Sequence, residues 1–282
     1  MIKLYILLEQ IRDRITKYIW GYALSNVYKM VMYSAVYAVL HRGSGRYELL
    51  KPLERKIPPP LLAPAKQLAN EFFDLFNYLT MLLYSYSEKP AVVEGEANLE
   101  SITRWLKHEI NTVNHVLMYD CISLIEFLTI SAYLKLRGIK SIFLSKVFLN
   151  PIGLTRFVTQ QLYGTSYRTT LLGVTQYIAN NLGGAAYVKS SYVDEKVHEI
   201  GSLGIDTFVD VIAIERIARE ILEKASQGKI LVCADHGYDI VESVDEGYIY
   251  VTHGFRPESA FKAIPLLLLS RFAFFMGIYR VG

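Results

Sequence analysis

Cysteine is scarce. The 282 residues hold two, Cys121 and Cys233, too few for a disulfide framework, and each lies in or beside an apolar run that reads as a buried strand, where free structural thiols sit. A reducing, cytoplasmic setting fits that usage. Charge of one sign is also lacking. The formal net charge is +3, so no basic field makes nucleic acid an obligatory partner, although a nucleic-acid substrate stays open. The first twenty residues interrupt their apolar positions with charges and lack a small-residue cleavage site, so they do not read as a secretory leader. The richest apolar stretch, residues 264–278, contains Arg271 and is too short to span a bilayer comfortably. It reads as a buried C-terminal helix, and no transmembrane segment is expected; a membrane-surface role is the lesser option left by a mean hydropathy of +0.22. There is no internal repeat and no low-complexity tract.

What is present divides in two. Residues 2–41 and 62–86 repeat apolar positions at helical spacing, the second segment following Pro58, Pro59 and Pro60. The expected organisation is a helical N-terminal segment, residues 1–111, and an α/β domain, residues 112–282, with the acidic stretch 87–98 as the boundary region. Tyr18, Tyr22, Tyr28, Tyr33 and Tyr37 read as an amphipathic core stripe rather than a ligand surface, and the N-terminal helices are a place where a protein partner could bind. From His115 onward short apolar runs alternate with helical stretches, the pattern of a mostly parallel sheet with helices on both faces. Strands are expected at 115–119, 139–144, 185–193, 230–234 and 248–252, helices at 122–136, 155–163 and 170–182, and one long amphipathic helix carries Phe208, Ile212, Ile217, Ile221 and Ala225.

In open α/β sheets ligands bind beyond the carboxyl ends of the strands. Four of the expected strands end on polar side chains: Asp120, Asp194, Asp235 with His236, and His253. A charged residue directly after a continuous apolar strand is costly unless solvated, paired or bound to metal. Asp194 and His198 stand at i and i+4, a spacing that aims both at one point on a helical turn; taken alone, the pair reads as a surface pairing of carboxylate with imidazole. Asp235-His236-Gly237 and His253-Gly254 add an imidazole at a strand end with a glycine that lets the backbone turn. Three of the six histidines thus fall at these ends.

Taken together, these motifs resemble the alkaline phosphatase superfamily, and within it the PglZ-type domains. Four pieces carry the likeness: MYDCISLIEF with Asp120 and Glu126, Asp194-x-x-x-His198-Glu-Ile-Gly201, Ala234-Asp235-His236-Gly237, and Thr252-His253-Gly254 followed by Glu258 and Pro265. The likeness covers roughly residues 115–265. It implies a clamp of two divalent metals about 4 Å apart, with Asp194, His198 and His253 on one ion and Asp120, Asp235 and His236 on the other. Mixed imidazole and carboxylate ligands suit Zn²⁺ or Mn²⁺ better than Ca²⁺ or Mg²⁺. It also implies a Ser or Thr nucleophile at a helix start, for which Thr155, after Asn150-Pro151-Ile152-Gly153-Leu154, is the first choice and Thr159 and Ser123 are lesser ones. The plainer alternative for Thr155 is a helix N-cap, the usual place of a Thr at a helix start. Arg156 is the candidate phosphate-binding residue, against the plainer reading of a solvated first-turn arginine.

The expected function is a two-metal phosphomonoesterase or phosphodiesterase, with a nucleotide or nucleic acid among the possible substrates. The short interval between Thr155 and Asp194 leaves little room for the cap insertions of phosphoglycerate mutases. The competing reading is a metal-binding interaction module in a defence or signalling assembly. Asp206 and Asp210 read as helix-start residues, Asp239, Glu242 and Asp245 as loop acids, and Glu126 as either a support for a metal ligand or a solvated helix residue.

Overall fold

The structure is a computed structural model that describes residues 2–43, 46–88, 98–143, 147–162, 170–256 and 262–280. Five helices come first: α1 (Ile2–Ile19), α2 (Leu24–Gly43), α3 (Lys51–Glu54), α4 (Pro59–Glu88) and α5 (Leu99–Ile110). Then follow β1 (His115–Tyr119), α6 (Leu124–Leu136), β2 (Ile139–Phe143), β3 (Phe148–Leu149), α7 (Thr155–Thr159), α8 (Leu171–Asn181), β4 (Ala186–Ser190) and α9 (Tyr192–Ile200). The remainder comprises α10 (Ile205–Val211), α11 (Ile214–Ser226), β5 (Ile230–Ala234), β6 (Asp239–Ser243), β7 (Tyr248–Thr252), β8 (Ala263–Leu268), β9 (Phe272–Ala273) and β10 (Phe275–Arg280). No described helix is long and apolar enough to cross a membrane.

The main sheet has the order β2-β10-β5-β1-β4. β1 pairs in parallel with β4 and β5, whereas β10 pairs antiparallel with both β5 and β2. The chain is therefore α/β with a mixed five-stranded sheet, in which β10 runs against the other four strands. That strand corrects the helix expected over 264–278, where the chain instead forms β8, β9 and β10. A continuous apolar run has no period that separates buried helix from buried strand, and the gap between β2 and β5 offers two ladders at once. Pro265 lies in β8, an edge strand of the small β7-β6-β8 sheet, beside a register irregularity at Ile240/Val241, which is where a sheet tolerates a missing N–H.

Alternation along β1 and β5 gives the sheet two apolar faces. Leu117, Tyr119, Ile230 and Val232 join α1, α2, α6 and α11 in one core, while Val116, Met118, Leu231 and Cys233 join α5 and α8 in another. Helices thus cover both faces. α5, which precedes residue 112, forms part of the second cover, and α1, α2 and α4 share the first core with α6. α2 is buried nearly all round because almost every residue from Val27 to Leu40 is apolar or small. Of the five tyrosines, Tyr28 and Tyr33 are buried and Tyr18, Tyr22 and Tyr37 pack against the core, as a core stripe requires. Residues 89–97 of the expected boundary region lie outside the described residues.

The long amphipathic helix is two helices. Between α10 and α11 the Tyr192 hydroxyl donates to Val211 O (3.0 Å) and accepts from Ala213 N–H (2.9 Å). A phenol from α9 satisfies the two backbone groups that the break frees, so it costs little. Asp206 sits in the first turn of α10, but Asp210 lies near its end, ion-paired with Lys29 and Lys56.

Candidate metal centre

Five short segments meet at one end of the main sheet. β1 ends at Tyr119, and Asp120 N–H still donates to Ser190 O of β4 (2.9 Å) before the chain turns at Cys121, whose φ is 66°. Ser123 then caps α6 in a reciprocal box with Glu126. β5 ends at Ala234 and delivers Asp235 and His236. A Cβ on the next residue, Gly237, would stand 2.9 Å from Leu269 O, so only glycine lets the two backbones pass.

Two expectations about delivery are corrected. β4 ends at Ser190, and Asp194 and His198 both belong to α9; the i, i+4 spacing on one helical face brings them together. His253 follows β7, a strand of the small antiparallel sheet rather than of the main one. Its loop is pinned by Asp239, which accepts from Phe255 N–H (3.1 Å), Ser270 N–H (2.9 Å) and Ser270 Oγ (2.8 Å). Asp239 and Glu242 are therefore buried β6 residues, not loop acids, and Glu242 pairs with Arg46; Asp245 is exposed. Glu258 lies outside the described residues.

The six residues named from the sequence fall into two trios, Asp194/His198/His253 and Asp120/Asp235/His236, each offering three ligand atoms within 4.8 Å of one another. In the outer trio His253 Nε2 is 3.0 Å from His198 Nε2 and 3.3 Å from Asp194 Oδ1, and His198 Nε2 is 3.6 Å from Asp194 Oδ1. Bonds of about 2.0–2.1 Å at tetrahedral angles place ligand atoms about 3.3 Å apart, so the spacing suits such an ion. In the inner trio His236 Nε2 is 3.7 Å from Asp120 Oδ1 and 3.6 Å from Asp235 Oδ2. The His236 and His253 rings lie 5.2 Å apart, centroid to centroid, which makes the trios neighbours.

Polarity supports the fit. His236 Nδ1 is 2.7 Å from Gly237 O; a carbonyl only accepts, so Nδ1 carries a proton, which leaves Nε2 as the ring atom available to a metal at the inner trio. Both Asp235 oxygens are buried without a hydrogen-bond partner among the described residues, a costly state unless a cation faces them. Burial pushes the Asp235 carboxyl up to about 6, with Asp120 adding to the rise and His236 opposing it. Burial would also raise Asp194, but its bond to His253 and the neighbouring imidazoles outweigh that and hold it below the usual range. His253 is the reverse: burial lowers it, and Asp194 more than compensates, so it is raised. The outer trio is open, with His198 63 % exposed, whereas Asp235 and His236 are fully enclosed.

Thr155 is the first residue of α7, with Leu154 as the cap. Its Oγ1 donates to Asp120 Oδ1 (3.1 Å) and lies 3.1 Å from His236 Nε2, so its hydroxyl faces the inner trio rather than capping the helix. Asn150 ties this loop to β5 by donating to Leu154 O (3.0 Å) and Asp235 O (3.2 Å). Thr159 is buried, with its hydroxyl on Arg156 O, and Ser123 is engaged by Glu126. Arg156 is exposed beside Thr155. Glu126 is not solvated: fully buried, it accepts from Tyr28, Tyr238 and Ser123.

Sequence reasoning missed Lys189. Its Nζ lies 3.1 Å from Asp120 Oδ2 and donates to Ser191 Oγ. The available signal was its place one residue before the end of β4, level with Met118 of β1, at the edge where the acids gather. Neither protein-family models nor a search among curated proteins returns a match to the chain.

Proposed function

We propose that the chain is a metal-dependent phosphohydrolase that cleaves a phosphoester through Thr155, and that its likeness to PglZ-type domains of the alkaline phosphatase superfamily reflects a shared chemistry. The observation that carries the reading is Thr155 Oγ1, which donates to Asp120 Oδ1 at 3.1 Å and lies 3.1 Å from His236 Nε2, beside two trios of ligand-type atoms. Two divalent ions, Zn²⁺ or Mn²⁺ by donor type, would be held by Asp194, His198 and His253 and by Asp120, Asp235 and His236. Bound there, they supply charge neutralisation and lower the pKa of a hydroxyl.

The chain's own residues do the rest. α7 and Asn150 fix the position of Thr155, and Asp120 Oδ1 accepts its hydrogen bond. Attack forms an Oγ1–P bond and breaks the ester P–O bond, the hydroxyl proton passing by way of solvent to the leaving oxygen. A water then cleaves Oγ1–P, its OH going to phosphorus and its proton to Oγ1, which restores the hydroxyl and releases phosphate from a monoester. The rim of the outer trio, open at His198, gives substrate its way in.

The test uses the full chain with two equivalents of Zn²⁺ or Mn²⁺, assayed on p-nitrophenyl phosphate and bis(p-nitrophenyl) phosphate. Expected are uptake of both equivalents, turnover of at least one ester, and loss of about 10³-fold or more in Thr155→Ala with the metal retained. Metal uptake without turnover favours the interaction module instead. No uptake overturns both readings.

A further inference from the structure

Resting on that reading, we propose that Lys189 is a substrate-contacting residue that selects phosphomonoesters over diesters. Asp120 is shared at its two ends: Oδ1 takes the Thr155 hydroxyl and Oδ2 faces Lys189 Nζ at 3.1 Å. One carboxylate thus sets the nucleophile and the ammonium side by side. A phosphoryl group in line with Thr155 Oγ1 brings its free oxygens toward Lys189, whose side chain is 23 % exposed on the edge strand β4 and can turn from Asp120 to an incoming anion.

Charge decides which ester. The trios contain three carboxylates, those of Asp120, Asp194 and Asp235; Asp239 is not among them and accepts from Phe255 N–H and Ser270. With two divalent ions, neutral imidazoles and the Lys189 ammonium, the centre carries about +2. A monoester carries nearly −2 above its second pKa of about 6 and matches that charge, whereas a diester carries −1 and leaves one cation unanswered. The monoester has three free oxygens for the two ions and Lys189; the diester has two.

The bland reading makes Lys189 only a counter-ion that keeps Asp120 ionised before metal arrives. The two readings separate in Lys189→Met and Lys189→Arg, assayed in the full chain with metal content measured. We expect the loaded wild type to prefer p-nitrophenyl phosphate, and Lys189→Met to lose about 30-fold or more in kcat/KM on it but under about 3-fold on bis(p-nitrophenyl) phosphate. Lys189→Arg restores most of the monoester rate. Calorimetry with inorganic phosphate gives a second readout: its Kd for the loaded protein rises at least about tenfold in Lys189→Met at pH 8. Equal losses on both esters, an unchanged phosphate Kd, or a change confined to metal affinity overturns the role of Lys189 and leaves the phosphohydrolase standing. A loaded wild type that neither turns over an ester nor binds phosphate overturns both.

Discussion

Asp235→Asn should make the metal-free protein more stable while disabling it. The Asp235 carboxyl is fully buried with neither oxygen hydrogen-bonded among the described residues, and it titrates at about 6. A carboxyl moved to that value from about 3.9 carries about 3 kcal/mol more free energy when ionised in the fold than in water. The raised pKa means the folded state holds the proton longer, so the penalty is absent at about pH 4, grows as pH rises, and is complete above about pH 7. His253 acts in the same direction, since its raised pKa contributes stability at low pH that is lost as pH rises through the folded value. An amide at position 235 carries no charge, so it escapes both the burial penalty and the repulsion from Asp120. In EDTA at pH 8, urea unfolding should show Asp235→Asn more stable by about 1–3 kcal/mol, with the difference closing toward pH 4. Adding Zn²⁺ or Mn²⁺ should reverse the order, because ion at 100 times Kd adds about 2.7 kcal/mol per site to the wild type and the variant lacks the inner share. An Asp235→Asn protein that is no more stable without metal, or that gains as much from metal as the wild type, refutes the reasoning.

Three further outcomes follow from named contacts. Glu126→Ala strands Tyr28 Oη (2.6 Å), Tyr238 Oη (2.5 Å) and Ser123 N–H (2.9 Å) and should lower stability by about 3 kcal/mol or more in urea unfolding; a loss below about 1 kcal/mol would contradict this account of the cluster. Tyr192→Phe removes both bonds at the break between α10 and α11 and should cost about 1–2 kcal/mol, read as a fall in Tm, whereas an unchanged Tm means water replaces the phenol freely. His198→Ala should reduce bound metal from two equivalents to one, as counted by elemental analysis, because His198 belongs to the outer trio alone; loss of both ions would show that the trios do not load independently.

The site was more legible than the scaffold. Asp120 and Asp235 stand out because each follows an unbroken apolar strand, β1 and β5, and a carboxylate there needs a reason. Asp194 and His198 stand out by spacing although the strand expected before them is too long: β4 ends at Ser190, and the helix α9 that follows Ser191 makes the i, i+4 pair converge. His253 was identified but assigned to the main sheet, because a strand's own residues do not reveal which sheet it joins. The C-terminal run was misjudged for want of a period, since β10 is buried on both faces and reads like any apolar segment. Glu126 was ambiguous for a different reason. Its three partners come from residues 28, 123 and 238, and only the folded chain brings α2 and the loop after His236 to one carboxylate.

That carboxylate also bears on how the molecule can be altered. Tyr28 reaches it from the N-terminal helices, and Tyr238 sits two positions beyond His236 on the loop that also carries Asp235. A change on α2 that tilts the Tyr28 phenol is therefore transmitted through one buried acid to Ser123 and Tyr238, which lie three and two residues beyond Asp120 and His236. Trimming the chain to its sheet-bearing part would remove the Tyr28 phenol and leave that buried acid one partner short.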